Sequence, residues 1–164
     1  MSIKMGLLKE LEFEAVNTRK MLEKVPFEQF SWKPHEKSMN LGRLAVHVAE
    51  LPNWVVLIVK EDELNLGTAP YKPAVVNSNE ELLQVFEKNL ADAKQALESA
   101  TDESLDSMWT LKNHDHVIFT LPRKAVLRSM VLNHIVHHRA QLSVYLRLLD
   151  IPIPGMYGPS ADER

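Results

Sequence analysis

The sequence predicts an all-α fold: a four-helix bundle with one short β-hairpin between its third and fourth helices. Three observations carry that reading. Glycine is scarce, at 5 of 164 residues, and β-branched runs are few. Long stretches repeat apolar residues at three- and four-residue spacing, the period of a helix with one buried stripe. A single pair of β-rich runs, 108–111 and 117–121, brackets a polar turn over Lys112–His116.

The first helix is predicted from about Ser2 to Lys24. Leu7, Leu8, Leu11, Ala15, Thr18 and Leu22 form its stripe, and Pro26 stops it. Glu10, Glu12 and Glu14 read as its solvated side. The stretch 26–38, with two prolines, reads as a loop. A second helix starts near Met39 or Leu41, capped by Ser38 or Asn40. Leu44, His47, Val48, Leu51, Val55 and Ile58 share its buried face, and Pro52 predicts a kink by removing a hydrogen bond and crowding the preceding turn. Residues 65–76, punctuated by Gly67, Pro70 and Pro73, form a connector. Ser78 and Glu81 make a capping box for the third helix, whose apolar face is Leu82, Val85, Phe86, Leu90, Ala93 and Leu97 and which fades near Ser99 or Ala100. The last helix starts at Leu121 or Pro122, since proline suits a first helical turn, and runs to about Leu149. Its seam is Leu127, Val131, His134, His138, Leu142, Tyr145 and Leu149. A tail rich in proline and glycine follows.

Length and composition bound the function. Residues 1–164 are expected to form one domain. With 45% hydrophobic and 25% charged residues, disordered and fibrous classes are excluded. The 19 basic and 22 acidic residues leave a net charge of −3, too little positive field for a dedicated nucleic-acid binder. Cysteine is absent, which removes disulfides, thiolate metal sites, iron–sulfur clusters and cysteine nucleophiles. The N-terminal stretch carries recurrent charges instead of a secretory apolar core. The longest apolar candidate, 44–59, contains His47, Glu50, Pro52 and Asn53, so no membrane span is expected. A soluble, cytoplasmic protein is the expectation.

Among 7 histidines, placement is what matters. His134 and His138 lie four apart, so their rings leave one helix face about a turn apart, a spacing that lets two imidazoles share one ion. His47 falls on the inward face of its own helix. Three imidazoles converging inside a bundle would make a nitrogen site with positions left for water or substrate. Against this stands the ordinary reading of a buried histidine as a hydrogen-bonded core residue. Unsatisfied imidazoles sharing one core would be costly, which favours a common purpose. His137 points about 100° away from His138 and reads as surface. His114 and His116 flank Asp115 on a polar turn, and His35 follows Pro34 in a loop. The Glu-x-x-His pattern of di-iron bundles is missing from the inward stripes, and no glycine-rich phosphate loop occurs. Trp54 and Tyr145, each two turns beyond a histidine, read either as pocket walls or as core aromatics.

The run Leu132-Asn-His-Ile-Val-His-His-Arg-Ala-Gln-Leu142 resembles the signature of the DinB family of metal-dependent proteins. So does Asn40-Leu-Gly-Arg-Leu-Ala-Val-His-Val-Ala-Glu-Leu51, and the stretches Ile118–Leu127 and Ile153–Glu163 fit the family as well. The resemblance covers nearly the whole chain. It implies a four-helix bundle, commonly a homodimer, with one divalent metal ion held by His47, His134 and His138, the same three residues that the stripes select. Arg139 and Gln141 match the end of the motif; Ala140 stands where the family usually has glycine. Relatives with assigned activities are transferases and isomerases that use low-molecular-weight thiols such as bacillithiol or mycothiol. The resemblance therefore implies a metal-dependent enzyme, a thiol-dependent S-transferase acting on a small-molecule substrate, with zinc, nickel, iron or manganese as the ion. A metal-dependent hydrolase and a non-catalytic metal-binding dimeric bundle are the alternatives.

Overall fold

Helix caps fix where each element begins, and they do so largely through long-range partners. Helix α1 spans Ile3–Leu22. The Ser2 hydroxyl accepts from Met5 N–H, and the carboxylate of Asp102 takes Ile3 N–H at 3.0 Å and Lys4 N–H at 2.9 Å. Orphan donors of the first turn are thus satisfied from a segment 98 or 99 residues away. At the other end, Asn79 Nδ2 donates to the carbonyls of Leu22 and Val25, both at 2.9 Å. The structure, a computed structural model, describes residues 2–68 and 71–163. Pro70 of the expected connector lies outside them.

The chain is mostly helical with a small three-stranded sheet. After α1 come α2 (Leu41–Glu50) and α3 (Asn53–Lys60), then strand β1 (Glu63–Asn65) and α4 (Asn79–Ser99). A short α5 (Asp102–Asp106) leads into strands β2 (Met108–Asn113) and β3 (His116–Pro122). The chain ends with α6 (Arg123–Val126), a π-helical turn (Leu127–Leu132) and α7 (Asn133–Leu148). Helix α1 packs on α4 and α7, and α2 packs on the same two helices. Two apolar clusters result. One joins Leu7, Leu11, Ile58, Leu97, Trp109 and Val131; the other joins Leu22, Leu44, Val48, Phe86, Leu142 and Leu146. Among the described residues, no single helix is long and apolar enough to cross a membrane.

Several expectations change. The second rod is two helices bent by 42° at Pro52, the kink that proline dictates. The last rod starts at Arg123, because Leu121 and Pro122 stay in the ladder opposite Trp109 and Met108. It is then interrupted: Asn133 N–H bonds the carbonyl of Arg128, five residues back. The Ser129 hydroxyl donates to the Ala125 carbonyl at 3.0 Å and competes there for the helical ladder. The hairpin gains a third strand, β1, parallel to β2 with Glu63 opposite Thr110. Buried Arg123 locks the sheet end to α3, donating to the carbonyls of Ile58 (3.1 Å) and Glu61 (3.0 Å) and to Asp62. Glu14 is not solvated. It is 8% exposed and paired with buried Arg139 at 2.6 Å. Glu10 and Glu12 do lie at the surface, paired with Arg128 and Lys94.

Candidate metal centre

Helix α2 carries His47 and α7 carries His134 and His138. Asn40 sets the start of α2: its Oδ1 accepts from Arg43 N–H at 2.8 Å. Gly42 lets Phe30 pack onto the first turn, since a Cβ there would lie 2.5 Å from the Phe30 ring. Leu44 and Val48 are fully buried, which leaves His47 at the edge of the buried face, half-exposed toward α7. On α7, buried Ile135, Leu142 and Leu146 fix the helix roll, and that roll brings His134 and His138 to face His47. A π turn immediately precedes His134, a distortion that often accompanies functional sites.

The three rings meet. The His47 ring centroid lies 5.2 Å from that of His134 and 4.6 Å from that of His138. One nitrogen from each ring falls within 4.8 Å of the other two. His134 Nε2 and His138 Nε2 are 2.8 Å apart. The outer nitrogens are engaged. His138 Nδ1 donates to Gln141 Oε1 at 2.7 Å, and His134 Nδ1 donates to the Met130 carbonyl at 3.3 Å. Those partners leave both Nε2 atoms as lone pairs facing each other. With both rings neutral in those tautomers, two facing acceptors at that distance repel unless they share a proton or bind one metal ion beside them. Outer hydrogen bonds of this kind orient metal-ligating histidines and fix their tautomer.

Electrostatics favour the same state. Burial, then the charges of His138, His134 and Arg43, push His47 down to about 4. Burial also lowers His134 and His138, partly opposed by the bonds to Met130 and Gln141. Neutral imidazole is the form that ligates metal. The donor set of three nitrogens therefore fits a divalent ion. His137 is exposed on the next position, with its ring centroid 4.7 Å from that of His138. His35, His114 and His116 are exposed and take no part.

Beside His47 opens a cavity of about 660 Å³. Trp54, Leu57, Leu64, Leu66 and Val85 give it apolar walls, and Arg43, Glu50, Tyr71 and Lys72 give it polar ones. Glu50 accepts from the Tyr71 hydroxyl and from Ala74 N–H. Burial and the Glu50 carboxylate push the Tyr71 phenol up to about 12, so it stays protonated. Of the two aromatics that sequence left open, Trp54 lines the cavity, while Tyr145 is core: it packs edge-on to Trp32 and donates to the Met39 carbonyl. Sequence reasoning missed Glu50 and Tyr71 as wall residues and Gln141 as the support of His138. The signal for Gln141 was its place three residues beyond a candidate ligand on the same helix.

The DinB family model matches residues 1–164. The chain is 26% identical over 159 residues to the protein YrdA of Bacillus subtilis (strain 168), covering 95% of this chain and 89% of that one. A crystal structure of a DinB-like protein from Bacillus cereus ATCC 10987 superposes with a TM-score of 0.71 at 25% identity, covering 93% of this chain and 97% of that one. The DinB-like protein YjoA of B. subtilis gives a TM-score of 0.72 at 19% identity, covering 92% and 97%, and shares the fold.

Proposed function

The chain belongs to the DinB family, and from that premise we propose that it is a metal-dependent enzyme. In this reading one divalent ion would be held by His47, His134 and His138, and the sulfur of a low-molecular-weight thiol forms a bond to an electrophilic carbon of a small substrate, the thiol giving up its proton and the substrate's leaving group departing with the electrons of its broken bond. The observation that carries the proposal is the pair of facing Nε2 atoms 2.8 Å apart, each ring pinned through its other nitrogen. An ion on neutral imidazoles keeps its full charge and makes a thiol or water beside it more acidic.

The chain's own residues do the rest. Gln141 and the Met130 carbonyl hold the rings in the ligating tautomer. Three protein ligands leave coordination positions open, which distinguishes catalytic from structural sites. Trp54, Leu57 and Leu64 give the substrate an apolar bed and exclude water from it. Tyr71, held by Glu50 and protonated, is a fixed polar group at the rim. We read the packing as a four-helix bundle with two broken rods, and the molecule as a homodimer.

The test is metal analysis joined to turnover. Wild-type protein should hold about one divalent ion per chain and consume an electrophilic test compound only with a thiol from a panel. A chelator should abolish both. Thiol-independent hydrolysis would turn the reading to a hydrolase, and metal retained without any turnover would turn it to a binding module.

A further inference from the structure

Arg43 stands on α2 one turn before His47, so both side chains leave the same face of the helix. Its guanidinium lines the 660 Å³ cavity and an adjoining one of about 420 Å³ bounded by Phe30, Asn40, Val46 and Val76. The Tyr71 ring covers it, with Cζ 5.0 Å from the ring centroid. Arg43 Nη1 is buried and has no hydrogen-bond partner among the described residues. No carboxylate among them lies within ion-pair distance of Arg43. Among the described residues, the one carboxylate in the cavity wall is Glu50, and its two oxygens accept from Tyr71 and Ala74. Exposed Lys72 adds a second positive charge to that wall.

Arg43 thus lines a cavity in which no carboxylate among the described residues pairs with it. We propose that Arg43 is the anion anchor of this cavity and that the ligand is a small molecule bearing a carboxylate. The guanidinium fork matches a carboxylate with two parallel N–H donors. Arg43 and His47 lie four residues apart on α2, about 6 Å along its axis, so one small molecule in the cavity can reach both side chains. The inference rests on the enzymatic reading of the same site and names the chemical class that the site accepts.

Two probes of equal length separate the charge from the thiol: 3-mercaptopropionate and 3-mercaptopropan-1-ol, titrated calorimetrically into metal-loaded and metal-stripped protein. The wild-type chain should bind the acid at least tenfold more tightly than the alcohol. Arg43→Gln should bring the two within twofold while metal content stays that of the wild type. Arg43→Lys, which keeps the charge and loses the fork, should fall between them. Equal affinities in the wild type, or a preference undiminished in Arg43→Gln, would overturn the proposal. Equal affinities in the wild type overturn the proposal even where neither variant folds. Failure of the metal reading shows separately, as His138→Ala protein holding as much metal as the wild type. An Arg43-dependent preference for the acid in metal-stripped protein leaves the anchor standing.

Discussion

His138 does two jobs through two nitrogens: Nε2 faces His134, and Nδ1 is held by Gln141. The two are separable by substitution. His138→Ala removes a ligand from a half-buried position, so metal content should vanish while helical circular dichroism stays unchanged. Gln141→Ala leaves all three ligands but frees the ring, and loss of such an outer partner costs about 10–100-fold in metal affinity. A competition titration against a chromogenic chelator reads both. Next along the helix, Arg139 is a purely structural neighbour. Its Nη1 donates to the Glu14 carbonyl at 3.0 Å and to Thr18 Oγ1 at 3.1 Å, and its Nη2 donates to Glu14 Oε2 and to the Tyr157 hydroxyl. Arg139→Ala strands a buried carboxylate, so urea denaturation should show a loss of about 3–5 kcal/mol. A loss below about 1 kcal/mol would mean that water reaches Glu14 as soon as the guanidinium is gone.

Several elements were legible from local signals, though α5, whose Thr101–Ser104 capping box is equally local, was not. Asn40 and Ser78 do cap α2 and α4, and the Pro52 kink is present. The site itself was legible because His47, His134 and His138 each obey the stripe of their own helix. Signals that cross the chain were hidden. Strand β1 has only three residues and finds its partner about 47 residues later, too short for alternation to register. Burial of Glu14 depends on Arg139, 125 residues away. The π turn is silent because Leu127, Val131 and His134 keep a helical spacing through it. The tail is a similar case. Asp162 accepts from both Nη atoms of Arg147 and from Ile153 N–H, and Glu163 accepts from Gly155 N–H and Ser160 N–H. Arg147 lowers Asp162 first, and the backbone donors of Gly155 and Ser160 lower Glu163. Both carboxylates thus bind protons less readily in the docked tail than in a free one. Docking is fully supported above the ordinary values of 3.8 and 4.5 and is lost as pH falls through the lowered ones. Protection factors across 153–163, taken against the intrinsic exchange rate at each pH, should therefore be high at pH 6 and low at about pH 2, and in Asp162→Asn they should already be reduced at pH 6. Equal protection at both pH values would place the restraint elsewhere.

At the scale of the molecule, two surfaces compete for explanation. Phe13 and Val16 on α1 and Val144 and Leu148 on α7 are each more than half exposed, on two helices that pack against each other. Large apolar residues left in water at such a place are what a second copy would cover. Light scattering should then give a dimer for the wild type and a monomer for the pair Phe13→Asp and Val144→Asp, with helical content unchanged; a monomeric wild type at micromolar concentration ends that reading. The metal centre makes the opposite demand on the core. Both apolar clusters close through leucines and aromatics contributed by several helices. The folded chain should therefore stand without the ion, unlike a small zinc domain that folds only when loaded. Metal bound only to the native state still adds stability by mass action, about 2.7 kcal/mol at a free concentration one hundred times Kd. For a chain of this size each kcal/mol moves Tm by about 2–4 °C. Chelation should accordingly lower Tm by about 5–11 °C while leaving a single cooperative transition and the full helical signal. Loss of that signal at 25 °C on chelation would instead make the ion a structural support, and the three histidines a staple between α2 and α7.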